Sequence, residues 1–179
     1  MAAITNKKLS FNTAEQFKES FSEANPTIAY VFIGNNVPYA NEASPDSIVD
    51  TVSTEKTTWD NIYAAKRATG NDVQLVVPRV NWTSNTRYRQ YDDTIDISTL
   101  LSSNTTQNLK SMYVITSARN VYKCVSNNAS ANSTVEPSGD YTTSNGNIST
   151  GDGFVWKYMY NVKPSNKFLT TEWIPAPTS

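Results

Sequence analysis

From Phe154 to Val162 the side chains alternate: Phe154, Trp156, Tyr158, Tyr160 and Val162 interleave with Val155, Lys157, Met159 and Asn161. Successive residues of a strand point to opposite faces, so this period of two predicts a β-strand with one buried face. A face this aromatic must be covered, which commits the chain to a sheet with packing on at least one side. The cover has to come from a frugal supply. Hydrophobic residues are 38% and charged residues 17% of 179 positions, while Ser, Thr and Asn make up about a third. Aromatics at 11% separate the chain from disordered sequences. At this length roughly 70% of the unfolded surface is buried on folding, enough for one core. The expectation is a single domain over 1–179, with a helical segment at 1–26 and a β-rich core at 27–179.

Other elements follow from local signals. Phe17 and Phe21 lie four apart, with Asn12 or Thr13 as the cap of their helix and Pro26 as its stop. Thr27–Ile33 is β-branched and aromatic, apolar on both faces, and reads as a central strand, turned by Gly34, Asn35 and Asn36. Residues 37–56, with Pro38 and Pro45, read as a loop. A second helix is expected over 58–69, capped by Thr57, with Trp59, Ile62, Tyr63 and Lys66 on one face and Gly70 as its C-terminal cap. Val73–Val77 is a short strand before Pro78. Residues 98–110 read as a surface excursion. Residues 112–116 and 120–125 form a hairpin around Ser117, Ala118 and Arg119, and 126–150 is a long polar loop. The fold class is α+β: mainly an antiparallel β-sandwich with two or three short helices and long loops.

The chain contains no His and one Cys, Cys124. That removes the commonest general base, the Ser/His and Cys/His nucleophile pairs and most transition-metal sites. Neither a metal nor a cofactor is expected. A net charge of −1 supplies no phosphate-binding surface, so nucleic acid is not an expected partner. The longest apolar run, Ile28–Ile33, is far short of a membrane span. Asp92, Asp93 and Asp96 lack the spacing of a calcium loop and read as solvated or paired with Arg87 and Arg89. Asp140 and Asp152 could be read as a glycosidase pair, yet Asp152-Gly153 is an ordinary turn dipeptide. Five Asn-x-Ser/Thr sequons, beginning at Asn81, Asn104, Asn128, Asn132 and Asn147, reflect composition. Cys124 reads as a small buried hydrophobe.

Three stretches taken in order carry a family resemblance. They are Tyr30–Gly34 with Pro38, Tyr39 and Glu42; Val76–Trp82 through Tyr88 and Tyr91–Asp93; and Val121–Cys124 with Ser133–Pro137 and then Asp152–Tyr160. Together they resemble the small dimeric baseplate wedge subunit of contractile-tailed phages. The resemblance implies a two-layer β-sandwich with helices and long loops, a structural role without catalysis, other baseplate proteins as partners and a homodimer. It places the chain in the virion, after synthesis in the host cytoplasm. Members of that family continue beyond the point matching Trp173–Pro175, so the resemblance also implies a shortened version leaning on a neighbour.

Interfaces are then the expected working parts. The loops 37–56 and 126–150 are the candidate docking segments. Arg79, Trp82, Arg87, Tyr88, Tyr91, Glu136 and Asp152 are the candidate interface residues, because Arg and aromatic anchors dominate interface energetics. The alternative is a carbohydrate-binding adhesin module. It requires an exposed, coplanar aromatic pair, and burial of Trp82 and Trp156 would count against it.

Overall fold

The computed structural model describes residues 7–34, 38–41, 43–44, 47 and 49–177. The expected turn residues Asn35 and Asn36, together with Glu42 and Pro45, lie outside the described residues. The chain divides into two compact units, residues 8–74 and the stretch from residue 75 onward. The architecture is α+β, with three helices among the described residues and antiparallel strands gathered in small sheets.

In the N-terminal unit, helix α1 (Lys7–Ser20) begins before the expected caps. Thr13 donates its hydroxyl to the Leu9 carbonyl at 2.8 Å, a bond made from inside a helix and not from its cap. Phe17 and Phe21 do share a face, with ring centroids 5.1 Å apart and edge-on. Strand β1 (Tyr30–Gly34) is not central. All five residues are exposed, and it pairs with one partner only among the described residues.

That partner corrects a second expectation. The helix expected at 58–69 is instead helix α2 (Val52–Asp60) followed by strand β2 (Ile62–Arg67). Thr51, not Thr57, is the cap; its hydroxyl accepts the Thr54 N–H at 3.2 Å. Replacing Thr51 by Ala should cost the unit about 1 kcal/mol, read from urea melts, whereas Thr57→Ala should cost much less. Pairing with β1 overrides the helical spacing of Ile62, Tyr63 and Lys66, because ladder bonds to a neighbour outweigh weak intrinsic propensity. Gly70 opens a short 3-10 turn (Gly70–Asp72) and is not a C-terminal cap. Asp72 closes that turn by accepting the Thr69 N–H at 3.1 Å and its hydroxyl at 2.8 Å.

The C-terminal unit begins with strand β3 (Val76–Pro78) and the two-residue β4 (Arg87–Tyr88). Helix α3 (Ile97–Leu101) and β5 (Leu109–Lys110) follow, so the polar stretch 98–110 is partly structured and buries Leu100. The expected hairpin is present as β6 (Tyr113–Ile115) and β7 (Asn120–Ser126). Its turn needs no Gly because Arg119 takes a left-handed backbone, φ 63°, and donates its N–H to Thr116. The long loop ends in β8 (Asn147–Ser149); β9 (Val155–Asn161) and β10 (Trp173–Pro175) complete the unit.

One sheet of order β6-β7-β9-β8 organises this unit, with β3 paired to β10 and β4 to β5. It is buried on both faces. Val114, Tyr122, Cys124 and Trp156 pack with Tyr88, Ile148 and Phe154. Tyr113, Ile115 and Val121, which point the other way along the same strands, pack with Leu100, Met112, Val162 and Ile174. A bulge puts Tyr160 opposite Val121 and Tyr158 opposite Tyr122. The alternation at 154–162 therefore changes face at Met159, and Val162 joins the second cluster.

Candidate functional site

The turn before β9 is the polar centre of the C-terminal unit. Gly153 has φ 83°, and a Cβ there would meet the Asn128 amide at 2.7 Å, so glycine is required. The tight turn aims the Asp152 carboxylate back at the long loop. Its Oδ2 accepts the N–H groups of Thr134 (2.7 Å) and Val135 (3.0 Å) and the Ser133 hydroxyl (3.1 Å). Its Oδ1 accepts the Thr150 hydroxyl and the Phe154 N–H, the latter at 3.3 Å. Burial alone would raise the pKa of Asp152. The donors from Thr150, Val135, Thr134 and Phe154 outweigh it and hold the carboxyl at about 2.

An acid or base with its oxygens so engaged is a clamp. Asp140, the other half of the imagined glycosidase pair, serves its own turn, accepting the Thr142 N–H at 2.9 Å. Among the described residues no three metal-binding side chains gather. Burial and then the Asp152 charge push the Cys124 thiol up to about 12, which leaves it unreactive.

The aromatic and Arg candidates divide by location. Tyr88 is fully buried, edge-on to Trp156 at 5.4 Å, and its hydroxyl accepts the Thr83 N–H at 2.7 Å. β4 turns it into the core, so it is not exposed. Trp82 is half-buried and donates to the Ser133 hydroxyl at 3.2 Å, which links it to Asp152. Trp156 is also fully buried, so the coplanar exposed pair required by the adhesin reading is not formed by Trp82 and Trp156. Arg79 donates to Asn81 and to the Thr170 carbonyl, and Arg87 to the Gln107 carbonyl at 2.6 Å. Arg89 likewise donates to the Ser102 carbonyl, while Asp92 accepts from Thr94 and Asp96 caps α3. Tyr91 remains 40% exposed, with the Lys123 ammonium 4.0 Å over its ring. Glu136 accepts the Ser117 N–H at 2.8 Å and its hydroxyl at 3.1 Å, tying the long loop to the β6–β7 turn.

Residues 91–179 match the family Phage-Gp8, described as Bacteriophage T4, Gp8. That stretch is similar to Gp8. The match bears out the resemblance to baseplate wedge subunits and with it a structural role in the phage tail baseplate. No curated protein matches the chain. No helix among the described residues is long and apolar enough to cross a membrane.

The matched stretch contains Tyr91, Glu136 and Asp152, while Arg79, Trp82, Arg87 and Tyr88 precede it. Within it, Val135 (42% exposed) and Tyr141 (63% exposed) stand on the outer side of a loop that Asp152 and Glu136 hold from within. Exposed side chains of another kind lie outside the candidate set. Phe32 and Trp59, in the N-terminal unit, fall in an expected central strand and an expected helix over 58–69, yet both are substantially exposed. Phe32 lies in an unbroken apolar run and Trp59 stands alone among polar residues, and neither pattern tells an exposed side chain from a buried one.

Proposed function

We propose that the chain is a non-catalytic building block of the tail baseplate that docks neighbouring baseplate proteins through the segment 37–56, expected as a loop but ending inside α2, and the loop 126–150. The family match over 91–179 carries the reading. The clamped loop supports the docking part. Ordering a loop before binding removes much of the entropy cost of association, and the Asp152 and Glu136 contacts do this for 126–150. Tyr91, Val135 and Tyr141 are the outward contacts. Arg79, Trp82, Arg87 and Tyr88 act behind them by fixing backbone. The homodimer implied by the resemblance belongs to the same reading, and sedimentation of the purified chain tests it.

A double substitution, Val135→Ser with Tyr141→Ala, removes two exposed apolar side chains without touching either clamp. It should leave the melting transition nearly unchanged and lower incorporation into assembled tails by about tenfold, the scale of one interface anchor. Quantifying the chain in purified particles by mass spectrometry reads this directly. Normal incorporation would reject the loop as a docking segment, and absence of the wild-type chain from particles would reject the role.

A further inference from the structure

The N-terminal unit, taken by itself, leaves much of its apolar surface in water. Tyr30, Val31, Phe32 and Ile33 are between 46% and 67% exposed, and Trp59 is 60% exposed. One edge of β1 is bonded to β2, and the other meets no strand among the described residues. A two-stranded ribbon is marginal in water, and natural edges are usually guarded by charge. Here the charges, Lys66 and Arg67, stand on β2, and β1 has none.

The aromatic surface does not end with the strand. Tyr30 and Phe32 have ring centroids 6.4 Å apart, and Phe32 meets Trp59 edge-on at 5.6 Å. Trp59 also lines a groove with Val49, Asp50, Thr54, Glu55 and Thr58. The surface is therefore apolar along β1 and acidic beside Trp59. Among the described residues, no cation lies within ion-pairing distance of Asp50 or Glu55. Residues 8–74 carry nine acidic and five basic side chains, so two copies of this unit repel and a positive chain is attracted.

We propose that this surface receives an extended segment of a different protein, which adds as a strand to the free edge of β1. Its apolar side chains sit on Phe32 and Trp59, and a Lys or Arg reaches Asp50 and Glu55. The proposal deepens the reading of the chain as a docking subunit. It concerns a surface outside the stretch matched to Gp8.

The test uses the purified full-length chain and two short peptides that alternate Val and Thr, one ending in Lys-Lys and the other in Glu-Glu. Tryptophan fluorescence reports binding, and amide exchange reports pairing. The Lys-ended peptide should bind about tenfold tighter and slow exchange at Val31–Ile33. Asp50→Lys with Glu55→Lys, both exposed, should reverse the preference. Both sit at the N-terminus of α2, so a small loss of melting temperature is expected, and Asp50→Asn with Glu55→Gln, which removes the charges without reversing them, should equalise the two peptides. Failure of both peptides to bind the wild-type chain, or its equal affinity for the two, overturns the proposal. Self-association that Phe32→Glu abolishes also overturns it, because the occupant would then be a second copy. Absence of the chain from purified particles would remove the baseplate role and leave these outcomes as they stand.

Discussion

Truncating Trp156 to Ala should destabilise the C-terminal unit by about 3–5 kcal/mol, the range for deleting a buried aromatic side chain. Domains are stable by only about 5–15 kcal/mol, so at least about a fifth of the total is at stake. The magnitude follows from position. Trp156 is fully buried, stacks on Phe154 at 5.5 Å, meets Tyr88 edge-on and stands opposite Cys124 and Ile148 in the ladder. Nothing nearby can collapse into the space without breaking β9 from its neighbours. Trp156→Phe should be far milder, about 1–2 kcal/mol, for a second reason. The indole N–H finds no acceptor among the described residues, so its removal also removes an unpaired buried donor. Urea melts of the three proteins give the comparison. A loss below about 1 kcal/mol for the Ala variant would mean that the sheet is not held by this ring.

The same ring shows how far the sequence could be followed. Alternation at 154–162 gave a strand with Trp156 and Phe154 inside, and apolar runs separated by a short polar link gave the β6–β7 hairpin. Both signals are local, since each strand states its buried face in its own residues. The bulge that turns Tyr160 to the opposite face has no such mark, because it is fixed by registry with Val121 and Tyr122 on another strand. Tyr30–Ile33 failed for a different reason. An apolar run states that burial is favourable, but not whether the cover is supplied within the chain. Trp59, Ile62 and Tyr63 have spacings that suit a helix, and only pairing between Ile62–Arg67 and β1 decides for strand. Of the interface candidates, the chemistry was legible and the side was not. Arg79 and Arg87 make strong hydrogen bonds, as their type suggests, but to carbonyls of their own chain.

Asp152 makes the second large prediction, and it is one of pH as well as of substitution. Its folded pKa of about 2 lies below the ordinary value of 3.8. A carboxyl depressed in this way contributes stability that is fully present above its unfolded pKa and is lost as pH falls through the folded one. The contribution should therefore be constant from neutral pH down to about 4 and disappear between about 4 and 2. Asp152→Ala removes the acceptor for Thr134, Val135, Phe154 and two hydroxyls together. Some of these donors regain water, so the expected loss at neutral pH is about 2–3 kcal/mol and not the sum of all the bonds. Asp152→Asn keeps an acceptor oxygen but loses the charge and brings its own N–H donors toward groups that also donate. It should lose about half as much and, more tellingly, show a flatter stability profile between pH 4 and 2 than the wild type. Asp72, Asp92 and Asp140 also have lowered pKa values and titrate in both proteins, so the difference between the two profiles isolates Asp152. The clamp spans from the β9 turn to Ser133–Val135, so amide exchange at Thr134 and Val135 should accelerate in both variants before the sheet itself opens. Superimposable pH profiles, or unchanged exchange at these two amides, would show that the loop is ordered by something other than this carboxylate.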